Sequence, residues 1–155
     1  MIETIRERAL NRLVSNFASI QAGQPSSDPY QSVYDYVRRN PLDEDSYKKR
    51  LTLGVHDVSA KRQQGFQWTM YHLRVVLEFR CLLQTGEVAS TVGNDIIGEI
   101  TRKIWEDKQL GGLAIDVIDE SDELYIDDFD RRQLSGAVFL EIQLRTLPHD
   151  PRVQI

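Results

Sequence analysis

The chain has little of what chemistry is usually built from. It contains one cysteine, Cys81, so no internal disulfide can form, and a reducing cytoplasm is the expected site of folding. It contains only three histidines, His56, His72 and His149, with no HxH or HxxxH spacing that would set two imidazoles on one metal. Long hydrophobic runs are missing, and nothing approaches the roughly 20 consecutive apolar residues that span a bilayer. The opening Met1-Ile2-Glu3-Thr4-Ile5-Arg6-Glu7-Arg8 mixes acids and bases and does not read as a secretory leader. No GxSxG elbow, phosphate-loop lysine, internal repeat or low-complexity tract occurs. Excess positive charge is missing too. A net charge of -5, from 19 basic and 24 acidic residues, argues against a protein whose main task is gripping phosphates.

What is present suits one soluble globular domain over residues 1–155, with 41% hydrophobic and 28% charged residues. The charges are segregated. Arg38, Arg39, Lys48, Lys49, Arg50, Lys61 and Arg62 lie in the first half, whereas Asp116, Asp119, Glu120, Asp122, Glu123, Asp127, Asp128 and Asp130 crowd one later segment.

Hydrophobic spacing assigns the elements. Ile2, Ile5, Ala9, Leu13 and Phe17 recur at steps of three and four, which predicts an amphipathic helix over about 2–19, stopped by the Gly23 to Pro29 loop. Tyr30 to Arg38 reads as a strand closed by Asn40-Pro41, and Leu42 to Arg50 as a charged connection. Leu51, Leu53 and Val55 predict a short strand, with the polar run Ser59 to Gly65 as a loop. Phe66 to Leu83 gives the strongest strand signal. Tyr71, Leu73, Val75, Leu77, Phe79, Cys81 and Leu83 form its core face, with His72, Arg74, Glu78 and Arg80 opposite.

Ser90 or Thr91 is the expected cap of a second helix with Val92, Ile96, Ile100 and Ile104 inward and Ile97 and Trp105 flanking. Gly93 and Gly98 each weaken that helix by about 1 kcal/mol relative to Ala, so packing must compensate. Gly111-Gly112 supplies a left-handed stop, Leu113, Ile115 and Val117 begin a strand, and Asp116 to Asp130 reads as an acidic loop. Val138, Leu140, Ile142 and Leu144 alternate in the last strand. Arg145 to Ile155, bracketed by Pro148 and Pro151, is extended. The fold class expected is α+β: a mostly antiparallel twisted sheet packed by two helices on one face, with a long β-hairpin or loop extension.

No catalytic set emerges. Cys81 is in phase with the core face, which suits a buried strand residue rather than an exposed thiolate. The acidic segment lacks the ordered calcium-loop pattern, and no glycine falls between Asp119 and Asp130 to make its turn. Gly111-Gly112 stands before a strand, the reverse of a phosphate-binding strand-to-helix loop. No residue is assigned to a catalytic, cofactor or metal role.

Three short stretches, in this order, carry a resemblance: Ile5-Arg6-Glu7-Arg8-Ala9-Leu10, then Leu110-Gly111-Gly112-Leu113-Ala114, then Ile142-Gln143-Leu144-Arg145-Thr146 with Asp150-Pro151. With the order of elements around them, they make the chain similar to the tail terminator, or tail completion, proteins of long-tailed bacteriophages. The resemblance implies a non-enzymatic virion protein, assembled in the host cytoplasm as a homo-oligomeric ring, usually a hexamer. Such a ring caps the head-proximal end of the tail tube, stops its growth and offers the surface for head-tail joining. Implied partners are the tail tube protein, neck and connector proteins and, in contractile tails, the sheath protein. DNA passes through the lumen without sequence-specific binding, and no membrane is involved. The alternatives are another neck or head-tail connector component, or a small ligand-binding or enzymatic α+β domain.

On that reading Arg74, Glu78, Arg80 and Arg145 are candidate inter-subunit contacts. Asp119, Glu120, Asp122, Glu123, Asp127, Asp128 and Asp130 are a candidate lumen or rim surface. Lys61 and Arg62 mark a candidate docking loop, and residues 146–155 a candidate contact arm.

Overall fold

A computed structural model describes residues 3–18, 34, 36–39, 51–126 and 132–155. The predicted loop at 23–29, the connection at 42–50, and Asp127, Asp128 and Asp130 lie outside them.

Helix α1 (Ile5–Ala18) forms where the three-and-four spacing places it, and Ile5, Ala9, Leu10, Leu13 and Phe17 are all buried. Its start carries a capping signature, Thr4 followed three residues on by Glu7. The Glu7 backbone N–H donates to the Thr4 hydroxyl at 3.2 Å. Strand β1 (Tyr36–Arg39) lies within and just beyond the strand expected from Tyr30 to Arg38, Tyr34 makes a bridge, and residues 30–33 and 35 lie outside the described residues.

Strand β2 (Leu51–Gln64) corrects the expected loop at Ser59 to Gly65: it runs 14 residues and pairs along its length with β3 (Thr69–Leu82), antiparallel. The polar composition that suggested a loop has another cause. Beyond a bulge between Asp57 and Ser59, the strand leaves the core, and most of its side chains on both faces meet water.

Helix α2 (Ala89–Glu106) buries Ile96, Ile100 and Ile104, each contributing about 1.5 to 3 kcal/mol. Its N-cap is Val88, with no side-chain cap; Ser90 and Thr91, expected to cap it, lie inside the first turn. The helix stops at Glu106, before the glycine pair. A 3-10 turn (Leu110–Gly112) then holds Leu110, Gly111 and Gly112 at φ of 48, 67 and 93°, the left-handed conformation that glycine adopts without strain.

Strand β4 (Asp116–Ile126) begins later than Leu113 and overturns the acidic loop: these residues pair with β5 (Gln133–Leu147). Lone carboxylates on an exposed edge cost little, so composition alone concealed the strand. The C-terminal segment folds back as β6 (Asp150–Gln154) against the end of β5 rather than standing free as an arm.

The sheet order is β1-β2-β3-β5-β4, with β6 attached to β5. Among the described residues only the β1–β2 pairing is parallel. The molecule is thus α+β, with a curled, mostly antiparallel sheet and two helices. The helix-covered side holds the core: Leu53, Val55, Leu73, Leu77, Phe79, Leu140, Ile142 and Leu144 are fully buried. Cys81 sits among them, as its phase in the strand predicts.

Two polar clusters fix α1. Asp57, at the β2 bulge, accepts from Arg6 Nε at 2.7 Å and lies 3.8 Å from Arg39, which also reaches Glu7 at 3.2 Å and the Val55 carbonyl at 2.7 Å. Burial pushes the Asp57 carboxyl up, but the hydrogen bond and charge of Arg6, with Arg39 nearby, outweigh it and hold the group below the usual range. At the other end Asp107 accepts from Arg12 at 2.9 Å, Asn16 at 2.7 Å and the Gly111 N–H at 2.9 Å, tying α1 to the turn after α2. Burial opposes ionisation there too, and those donors prevail.

Candidate interaction surfaces

The face that bears no helix among the described residues, the helix-free face below, is built by the residues of β3 and β5 that alternate with the core. Antiparallel register sets Arg74 opposite Glu141, His72 opposite Gln143, Val76 opposite Phe139 and Arg80 opposite Ser135. The side chains form a mixed-charge band. His72 Nδ1 lies 3.5 Å from Glu141, Gln143 donates to Glu141 at 3.1 Å, and the Arg74 guanidinium stands 5.4 Å from the centre of the Phe139 ring.

Of the four residues expected at subunit contacts, Arg74 is exposed at the middle of this band. Glu78 and Arg80, two apart on the same face, pair with each other at 3.3 Å and are mostly covered, which ties up charge expected to face a partner. Arg145 lies at the other end of the face, its guanidinium 5.5 Å from the Trp68 ring.

The strand alternation divides Lys61 from Arg62. Lys61 turns to the helix-free face and, with Ser59, His72, Arg74, Glu120 and Glu141, lines a cleft of about 270 Å³. Arg62 turns to the helix side, 5.5 Å over the Tyr71 ring, beside a smaller cleft shared with Thr4, Arg6 and Thr146. The expected docking loop is therefore an extended, two-faced hairpin.

The acidic residues are divided in the same way. Asp119 accepts from Thr101 of α2 at 3.0 Å, so it belongs to the helix side. The bulge between Asp119 and Ser121 releases Glu120 to the opposite cleft, and Glu123, opposite Ala137, accepts from the Tyr125 hydroxyl. Asp122 is exposed. β4 lies at an edge of the sheet, and among the described residues no strand pairs its outer side.

Sequence spacing missed two apolar features. The turn between β2 and β3 carries Phe66 at 96% exposure, where the alternation had placed it at the start of a strand. Trp105, expected to flank the core stripe, is 65% exposed and covered on one side by the Lys108 ammonium at 4.1 Å. The signal for Phe66 was available: a glycine between a polar run and a new alternation marks a hairpin turn.

Among the described residues no group of three His, Cys, Asp or Glu side chains is placed to hold a metal ion, and no helix is long and apolar enough to cross a membrane. No protein-family model matches the chain, and no curated protein matches it.

Proposed function

We propose that the chain is a tail terminator protein of a long-tailed phage, a structural subunit whose ring closes the head-proximal end of the tail tube and presents the surface for head-tail joining. The observation that carries the reading is the distribution of the chain's unusual residues. They lie on surfaces: a mixed-charge sheet face around Arg74 and Glu141, an edge strand rich in acids, and a hairpin projecting Phe66. Mixed charge of this kind sets register and partner choice between subunits. Rings of such subunits carry a negative charge on each copy, and an acidic lumen lets DNA slide without sticking.

Electron microscopy of particles assembled without this protein tests the reading. Tails of uncontrolled length, or heads and tails that remain unjoined, are the expected result. Normal particles would defeat it.

A further inference from the structure

Among the described residues the sheet keeps two long strand edges open. One is the outer side of β4. The other is the far half of β2, because β1 takes that edge of β2 from Thr52 to Val55 and leaves Val58 to Gln64 without a partner strand on that side. Open edges present backbone N–H and C=O groups that another strand can take up. The two cannot pair within one copy, since β3 and β5 stand between them, about 14 Å of sheet.

The two edges carry opposite charge, arranged alike in the pleat. On β2, Lys61 lies opposite His72 and so on the helix-free face, whereas Arg62 lies opposite Tyr71 on the helix side. On β4, Glu123 lies opposite Ala137 on the helix-free face, whereas Asp122 lies opposite the core residue Val138 on the helix side. Lys61 borders the cleft that also holds Glu120 and Glu141, and Arg62 leans on the Tyr71 ring, but all four charges are exposed and none forms an ion pair among the described residues. Other acids nearby are engaged: Asp57 by Arg6, Asp116 by Lys108 at 3.2 Å and Asp119 by Thr101. A base on each face of one edge thus has an acid on the same face of the other.

We propose that the β4 edge of one copy pairs with the far half of β2 in a second copy, continuing one sheet from subunit to subunit. Strand direction permits it. β2, β3, β5 and β4 alternate, so copies set side by side in one orientation bring β4 antiparallel to the neighbour's β2. β1 fixes the register, because the incoming strand must end before Val55. With Ile126 beside Val58, both exposed and apolar, Leu124 stands opposite Ala60, Glu123 opposite Lys61 and Asp122 opposite Arg62. Pairing β4 with β4, or β2 with β2, would set like charges together. The contact is therefore head-to-tail and propagates around a ring instead of closing a pair. The inference rests on the ring reading above and assigns its interface.

Cysteine pairing tests it in the full chain. Lys61→Cys and Glu123→Cys replace exposed side chains, whereas native Cys81 is buried. Mixed under mild oxidation, with tail tubes added as template, the two variants are expected to give a 61–123 linked dimer, and the double variant a ladder of linked rings. Lys61→Cys with Asp122→Cys is expected not to link, because those side chains face opposite sides of the sheet. Lys61→Glu with Arg62→Glu is expected to weaken self-association tenfold or more, and adding Asp122→Lys with Glu123→Lys to restore it. Rings without the 61–123 link, an equal 61–122 link, or no rescue by the charge swap would overturn this contact and leave the ring reading standing. A protein that stays monomeric with and without tubes would overturn both.

Discussion

Leu124 of β4 fills the space that a side chain on Gly93 of α2 would need. The contact continues through the sheet, because Leu124 is in register with Gly136, and Gly136 with Phe79, whose ring occupies the space above that second glycine. Two glycines and two large side chains alternate along one line from helix to sheet, and this close approach offsets the low helix propensity of Gly93.

Gly93→Ala is therefore expected to destabilise the fold by about 1 to 3 kcal/mol despite its better helix propensity, through overpacking against Leu124. Gly98, in the same helix, has open space where a Cβ would go, so Gly98→Ala is expected to stabilise by up to about 1 kcal/mol. Urea denaturation of the two variants compares them directly, and equal signs would refute the packing account.

Gly136→Ala is expected to destabilise by a similar amount, about 1 to 3 kcal/mol, since the added carbon meets the Phe79 ring and, at 2.8 Å, the Glu123 backbone carbonyl. Shortening the ring should relieve part of this. A double cycle with Phe79→Leu is expected to show coupling between the sites in thermal melts.

Acid should weaken the attachment of α1. Asp57 ionises more readily folded than unfolded, so its stabilisation is present above about pH 4 and is lost as pH falls through the folded value. Asp57→Asn is expected to cost about 1 kcal/mol at pH 7, after discounting for solvent screening, and to flatten the stability curve below pH 4. An unchanged acid limb would exclude the Arg6–Asp57 pair as its source.

Alkali acts through Tyr34, which is buried and meets Phe17 edge to face at 6.2 Å between ring centres. Burial, with the negative charge of Glu99 adding to it, pushes its phenol well above the ordinary value. A raised folded value means stability present below about pH 10 and lost as the unfolded phenol ionises above it. Tyr34→Phe is expected to lose less stability between pH 9 and 11 than the parent, measured by urea midpoints.

On the helix-free face, Arg74→Glu is expected to destabilise the fold by no more than about 1 kcal/mol, because it sets a carboxylate directly opposite Glu141 and removes the contact with the Phe139 ring at an exposed position. It should nevertheless impair ring closure or head-tail joining, scored by electron microscopy of complemented particles. Full joining would remove Arg74 from the interface.

Periodicity by itself determined α1, α2, the core faces of β3 and β5 and the α+β class. In each of these an apolar stripe recurs at the helical or strand period, and a stripe that must leave water leaves little choice of conformation. It also set Cys81 in the core. Where neither face of a strand is dry, that signal vanishes: Ser59 to Gln64 and Asp119 to Glu123 read as loops, yet their backbones pair with β3 and β5. Only tertiary structure could recruit them, since hydrogen bonding to a neighbouring strand is independent of side-chain polarity. Tertiary structure also decided which charges remain available. Bulges and alternation sent Lys61 and Arg62 to opposite faces, joined Glu78 to Arg80, and left Phe66 at the tip of a hairpin, because a side chain's direction depends on its place in the pleat rather than on its chemistry.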